Sequence, residues 1–383
     1  SYMYHAETDL NPRYERGTLQ EVYEMIGKDI EAGIPLIDDT AYSVPKYHFN
    51  YKAACCFASR YYLFMQDWDN AIKYATMALT SNPSSLLRDY SAIAALPNGT
   101  SRHQEYVNSA STANFLLQAA TSNSGLLFDW YSTAGRYSHG KLQGIYETVQ
   151  PKKGGPWGSS VTFKAPHAVL ASSGKYVLPR TWRVFQYTDP VAGTGFNKAI
   201  SVLFTSEEAL LNRAEAYIMK MNEDPTALDK ALEDINLYAA NLFSAGFKSM
   251  TEASIIKWAT ETYPDYSELY VGKTSVSSPQ TLNPKKKLHA APYNTLEEGG
   301  PQESMLQALI FMRRYQFLHE GMRWFDTRRF GITVYRYLLD EDAETVVQIT
   351  DQISDENGTA DPRRALQLPA DVIAAGLTPN PRK

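Results

Sequence analysis

Apolar residues recur every three to four positions in several stretches of the chain, the spacing that gathers them on one side of a helix. Leu19, Val22, Tyr23, Ile26 and Ile30 make the first such stripe. Thr18-Leu19-Gln20-Glu21 reads as a capping box at its start, with Glu21 placed to reach back to the cap amide. Gly33 and Pro35 end it. A second stripe, Met305, Leu306, Leu309, Ile310 and Phe317, follows Pro301, whose fixed φ and missing N–H suit a helix start. Past Gly321 the pattern changes, and in Met322-Arg323-Trp324-Phe325-Asp326-Thr327-Arg328-Arg329-Phe330 aromatics are interleaved with charges of both signs. Glu320 stands three residues before Arg323, and Asp326 three before Arg329, so each pair can meet on one helical face. This predicts an amphipathic helix whose end is locked by ion pairs and aromatic packing.

Two further stretches carry a repeat signal. Tyr62, Ala71, Ala78 and Pro83 fall at tetratricopeptide spacings, predicting helices over 51–66 and 70–80 joined at Asp67-Trp68-Asp69. Cys55 and Ser59 replace the consensus Trp and Gly, so this copy is degenerate. Leu210, Ala214, Tyr217 and Ala231 mark a second copy over 206–243, with about five extra residues around Asn222–Pro225. The two copies are too far apart for a tandem array. They predict an interrupted scaffold of helix pairs, mainly α, with the Ser/Gly/Asn/Thr-rich segment 84–200 as an irregular, loop-rich insertion. The expected organisation is a helical part over 1–83, the insertion over 84–200, a helix pair and the charged helix over 201–331, and an extended segment over 332–383, all in one compact unit. Residues 263–300 are expected to be irregular, with Lys285-Lys286-Lys287 a solvated run, and Val346–Ile349 a strand or short helix.

Composition narrows the functional classes. With 383 residues, 44% hydrophobic and 21% charged, the chain has an ordinary globular balance. A net charge of −5 with no basic face argues against nucleic acid as a partner. No apolar run approaches the roughly 18 residues that read as a membrane-spanning helix, and Ser1–His5 has no signal-peptide character. Cys55 and Cys56, adjacent on a helix, point about 100° apart and are read as buried free thiols rather than a disulfide or metal set.

The sequence contains no nucleophile elbow, zincin, P-loop or dinucleotide fingerprint. Neighbouring acids such as Glu207-Glu208 and Asp38-Asp39 diverge on a helix and make poor acid/base pairs. No cofactor, metal site or catalytic residue is therefore assigned. The insertion, by contrast, is rich in aromatics, and loops on a rigid scaffold are where binding sites are built. A sugar ring packs its C–H face on Trp or Tyr while polar groups fix its hydroxyls. Trp130, Tyr131, Trp157, Trp182 and Tyr187 are the candidate ligand contacts, with Arg136 and His139 as polar partners. Trp68, Trp258 and Trp324, in helical or turn contexts, are read as core.

Arg313-Arg314-Tyr315-Gln316-Phe317-Leu318-His319-Glu320-Gly321-Met322-Arg323-Trp324-Phe325-Asp326-Thr327-Arg328-Arg329 resembles the C-terminal signature of the SusD/RagB proteins, R-R-x-E-L-x-F-E-G-x-R-W-x-D-L-R-R. Gln316 stands where an acid is usual and His319 where Phe is usual. Pro45–Ala54 resembles the family's P-K-x-x-x-N-x-x-A-A segment, Glu208–Tyr217 its E-x-x-L-x-R-A-E-A-Y helix, and Asp361–Pro381 its closing segment. The resemblance implies a tetratricopeptide-like α-α superhelix and a non-catalytic nutrient-binding protein at the bacterial outer surface. Such a protein would pass oligosaccharide to a SusC-like TonB-dependent transporter. It also implies a lipid anchor and further helices ahead of residue 1, with this chain a truncated or processed form. Peptide as ligand, a protein-only helical-repeat module and a glycoside hydrolase are the alternatives.

Overall fold

The computed structural model describes residues 17–125, 155–158, 160–164, 168–170, 175–177, 180, 184–266, 284–341, 346–355 and 359–382. Helix α1 (Leu19–Gly33) starts at the expected capping box. Thr18 Oγ1 accepts from Glu21 N–H at 3.2 Å, and the Glu21 carboxylate accepts from Thr18 N–H at 2.7 Å. Helices α2 (Tyr51–Phe64) and α3 (Trp68–Leu79) form the first predicted pair. The Asp67 carboxylate caps α3 by accepting from Asn70 N–H at 3.1 Å, which starts the helix ahead of the expected Asn70. Short helices α4 (Tyr90–Ala95) and α5 (Gly99–Tyr106) lead to strand β1 (Asn114–Thr121). Strands β2 (Thr162–Phe163), β3 (Ala168–Leu170), β4 (Lys175–Val177), β5 (Val184–Asp189) and β6 (Thr194–Thr205) follow.

Strand β6 runs directly into α6 (Ser206–Lys220), because Thr205 ends the strand and caps the helix, its hydroxyl accepting from Glu208 N–H at 3.1 Å. Helix α7 (Ala227–Leu242) completes the second pair, and β7 (Phe243–Ala245), α8 (Glu252–Lys257) and a π-helical turn over Trp258–Thr262 lead toward α9 (Pro301–Gln316). Helix α10 (Met322–Arg329), the β8 (Val334–Leu339) and β9 (Val346–Ile353) hairpin, and α11 (Ala370–Ala374) close the chain.

The protein is mainly α. Within the scaffold α2 packs on α3, α3 on α6 and α6 on α7, so two helix pairs far apart in sequence are neighbours in space. Alanine makes that approach close: Ala71, Ala75 and Ala78 of α3 and Ala209, Ala214 and Ala216 of α6 are fully buried. Helix α9 packs against α6 and α8 and is buried along almost its whole length. Cys55 and Cys56 are buried free thiols, and burial pushes the Cys55 thiol up to about 11, so neither is a reactive thiolate near neutrality. The described β structure is a three-stranded antiparallel sheet in the order β1-β6-β5, together with three two-stranded pairs, β2-β7, β3-β4 and β8-β9.

The lysine run is not uniformly solvated. Lys285 is 1% exposed, donates to Ala259 O at 2.8 Å and lies 4.4 Å from the Tyr266 ring centre, while Lys287 pairs with Glu298 in the open. The Ala259 carbonyl of the π-helical turn, with Pro264 O just beyond it at 3.5 Å, accepts from the buried ammonium, a feature no local pattern reports.

Gly331, after α10, has φ +67°, and a Cβ there would lie 2.6 Å from Ala290 N and 3.0 Å from His289 C, both main-chain atoms. Gly331→Ala is therefore expected to cost about 2–4 kcal/mol, from left-handed strain plus overpacking. Urea unfolding by circular dichroism checks it, and a loss below about 1 kcal/mol would show that the 289–290 segment simply moves away.

Candidate ligand-binding site

The charged motif at α9–α10 is interior. Arg313 is fully buried, and its guanidinium donates to both Asp326 carboxylate oxygens from Nε at 3.1 Å and again from Nη2 at 3.0 Å. Its remaining Nη1 donates to Asn212 Oδ1 of α6 at 2.8 Å, and Asn212 Nδ2 donates to Ser59 Oγ of α2 at 3.1 Å. Asp326 also accepts from Arg329 at 3.3 Å, the pair predicted from their spacing. Arg329 forks onto Glu215 of α6, with Nη2 to Oε2 at 2.9 Å, and donates to Tyr293 Oη at 3.0 Å. Burial pushes the Asp326 carboxyl up, but Arg313 and Arg329 outweigh it and hold it below its ordinary value. These side chains pair with one another and tie four helices together, α2, α6, α9 and α10, so they serve the fold rather than a ligand.

A second polar cluster joins the sheet to the scaffold. Glu320 accepts from Tyr106 Oη at 2.5 Å and lies 3.8 Å from Arg180. Arg88 donates to Tyr106 O at 2.7 Å and Asn114 Oδ1 at 2.6 Å, with its guanidinium 3.9 Å from the Tyr106 ring centre. Its backbone N–H donates to Glu207 at 2.8 Å. Burial pushes the Glu320 carboxyl up, against the pull of Arg180 and the Tyr106 hydroxyl. Glu208 is forked by Arg60, Nε to Oε1 at 2.6 Å and Nη2 to Oε2 at 2.7 Å, so the two neighbouring acids of α6 each serve a separate structural contact.

An open polar and aromatic surface appears instead on the sheet. Phe185 and Tyr187 alternate along β5 and pair with Asn197 and Gly195 of β6, so all four face one side. The two rings meet edge to face at 4.8 Å and are 37% and 58% exposed. Gly195 makes room for them, since a Cβ there would lie 2.9 Å from Phe185 and 2.1 Å from the Gln186 carbonyl. Beside the rings, Asn197 Nδ2 donates to Asn123 Oδ1 at 3.0 Å. An exposed ring flanked by carboxamides offers an apolar face together with donors and acceptors.

Of the residues chosen from sequence, Tyr187 is on this surface. Trp157 is 1% exposed and packs on Phe243 and Phe311, with ring centres 5.0 and 5.4 Å away. Trp130, Tyr131, Arg136, His139 and Trp182 lie outside the described residues. Sequence reasoning passed over Phe185 and Asn197. The period-two spacing of Phe185 and Tyr187 was the signal that could have found the first, whereas Asn197 needed the strand register. Among the described residues no group of three or more His, Cys, Asp or Glu side chains could hold a metal ion, and no helix is long and apolar enough to cross a membrane.

A family profile, SusD-like, described as "Starch-binding associating with outer membrane", matches residues 2–63. A SusD superfamily protein of Bacteroides vulgatus superposes with a TM-score of 0.51 at 18% identity, covering 96% of this chain and 66% of that one. A candidate sugar-binding protein of the same organism gives 0.51 at 19% identity, with the same coverage. The chain thus spans just under two thirds of the length of these two structures. Among curated proteins none matches it.

Proposed function

We propose that this chain, SusD-like in its sequence signature and its fold, is the nutrient-capturing part of an outer-surface uptake system. It binds oligosaccharide without cleaving it and passes it to a SusC-like TonB-dependent transporter. In this reading a lipid anchor holds the protein at the outer membrane. The observation that carries the reading is the exposed Phe185–Tyr187 pair over Gly195, with the Asn197 and Asn123 carboxamides beside it. A pyranose can lay its C–H face on Tyr187 while the amides meet its hydroxyls. The family description and the similar candidate sugar-binding protein point the same way. The absence of any charge on the four facing residues suits a neutral ligand. Peptide is the second reading, because β5 is the edge strand of its sheet and an extended chain can pair with such an edge.

Titration calorimetry against neutral oligosaccharides and unstructured peptides, with chromatography of the recovered ligand, tests this. Saturable sugar binding with intact recovery is expected. Tyr187→Ala should weaken it by roughly 5–30-fold, from the loss of ring burial and an aromatic contact of about 1–2 kcal/mol. Shortened products would make the protein a hydrolase. Binding of peptide but not sugar, with Tyr187→Ala neutral, would move the assignment to the strand edge.

A further inference from the structure

Strand β5 lies at one end of the sheet order β1-β6-β5, and every one of its residues after Val184 is exposed. The direction in which each residue hydrogen-bonds follows from the ladder. Ser122 N–H, just past β1, donates to Asn197 O at 3.1 Å, so the main chain of Asn197 turns toward the β1 side of the sheet. In an antiparallel ladder a residue serves one neighbour with both its N–H and its C=O. Phe185, opposite Asn197, therefore turns both groups away from β6, and Tyr187, two residues on, does the same. Gln186 turns inward: its carbonyl oxygen lies so close to Gly195 of β6 that a Cβ there would meet it at 2.1 Å. Two N–H and two C=O groups thus point outward along β5, and among the described residues no strand pairs with them. Natural edge strands are guarded by Lys, Pro or an inward-pointing charge. Val184–Thr188 carries none of these.

We propose that β5 is an interface to a second copy of this chain, the two β5 edges pairing antiparallel about Gln186. By residue class the strand reads the same in both directions: Val184, Phe185, Gln186, Tyr187 and Thr188 are β-branched, aromatic, amide, aromatic and β-branched. A two-fold axis at Gln186 sets Phe185 of each copy opposite Tyr187 of the other. These are the outward-facing residues, so four main-chain hydrogen bonds form and no donor is left over. Val184 meets Thr188, and the two Gln186 carboxamides meet on the axis, where each has a donor and an acceptor to offer. A slip of one residue would set outward groups against inward ones, and a slip of two leaves one outward pairing within Val184–Thr188 in place of two. Asp189, the one charge on β5, stands three residues from the axis, so two copies hold theirs about 20 Å apart. The contact is self-complementary, as a two-fold interface requires. Its small extent suits a weak, concentration-dependent dimer. The dimer does not depend on the sugar reading. Its consequence for the binding surface rests on that reading: the rings of both copies stand on one face of a continuous sheet and offer a longer platform to an oligosaccharide.

Sedimentation velocity of the full chain without sugar tests it, so that failure of the dimer and failure of the sugar reading are told apart. A monomer–dimer equilibrium is expected at sub-millimolar concentration. Gln186→Lys lies on the face opposite the rings and sets two ammonium groups against each other on the axis. It should weaken dimerisation by about tenfold. Gln186→Cys reads the register, because a non-hydrogen-bonded antiparallel pair brings Cα atoms to about 4.5 Å, within disulfide reach. Mild oxidation should therefore link that variant into a covalent dimer. Thr188→Cys, also exposed, would stand about 14 Å along the strands from its own copy and should not link. Cys55 and Cys56 are buried and give no background. A chain that stays monomeric through this range overturns the proposal. So does a dimer that Gln186→Lys leaves intact, or one in which both cysteine variants link alike.

Discussion

Asp326→Ala is expected to remove about 3–5 kcal/mol of stability, the cost of stranding buried charge. Asp326 is 1% exposed and lies between two guanidinium groups, Arg313 at 3.0 Å and Arg329 at 3.3 Å. Arg329 keeps Glu215 and Tyr293 when the carboxylate goes, but Arg313, fully buried, keeps only the neutral Asn212 carboxamide among these partners. Most of the loss therefore falls on Arg313. The double replacement Arg313→Met with Asp326→Leu removes both members of the pair and should recover a large part of it. The pH dependence has a definite sign. Asp326 has its folded value depressed below the ordinary one, so its contribution is present above about pH 4. It is lost as the pH falls through the folded value, and the gap between parent and Asp326→Ala must narrow in acid. Urea unfolding at pH 7 and in the acid range measures both effects. A deficit below about 1 kcal/mol at pH 7 would mean that water reaches Arg313 on its own.

The same residues show where sequence pattern stops. Stripes and caps are local, so α1, the two helix pairs and α9 follow from spacing, from Thr18 with Glu21, and from Pro301. The Asp326–Arg329 pair was legible for the same reason: three residues apart on a helix are neighbours whatever the tertiary fold. The longer reach of each charge was not. Arg313 meets Asn212, and Arg329 meets Glu215, only because α6 lies under α9 and α10. Spacing pairs Glu320 with Arg323, but the partners the structure shows for Glu320 are the Tyr106 hydroxyl, from a helix more than two hundred residues upstream, and Arg180. The insertion was harder still. Most of strand β6 falls in the segment read as loop-rich, and its partners β1 and β5 lie on either side of it in space. Trp157 shows the limit of choosing sites by residue type: a Trp in a Ser/Gly-rich stretch serves a core as readily as a ligand. Tyr187 could be chosen from sequence, but its companions Asn197 and Gly195 come only from register.

Arg88→Met is expected to cost about 2–4 kcal/mol at neutral pH, and the deficit should shrink as the pH is lowered. Arg88 is 2% exposed and joins α5 to the first residue of β1 through Tyr106 O and Asn114 Oδ1. Methionine fills much of the volume without donating. Tyr106 O keeps Asn114 Nδ2 at 2.9 Å, so the side-chain oxygen of Asn114 bears the lost hydrogen bond. The larger loss is in charge balance, because Arg88 and Arg180 together face the buried carboxylate Glu207 and the partly buried Glu320, whose side chain is 13% exposed. Glu320 already has its folded value raised by burial, with Arg180, Tyr106 and Arg88 opposing that rise. Removing Arg88 raises it further. A carboxyl with a raised folded value binds a proton more tightly in the native state, so its ionisation destabilises the fold above that value and the penalty lifts below it. The variant therefore regains stability, relative to the parent, as the pH falls toward the ordinary glutamate value of about 4.3. Unfolding free energies for parent, Arg88→Met, Glu320→Gln and the double variant over this range decide it. A deficit that narrows between parent and Arg88→Met, and stays flat between Glu320→Gln and the double variant, identifies Glu320 as the group that takes up the proton. A deficit independent of pH in both would reduce Arg88 to its hydrogen bonds and its stacking on Tyr106, and the charge-balance account of this cluster would fall.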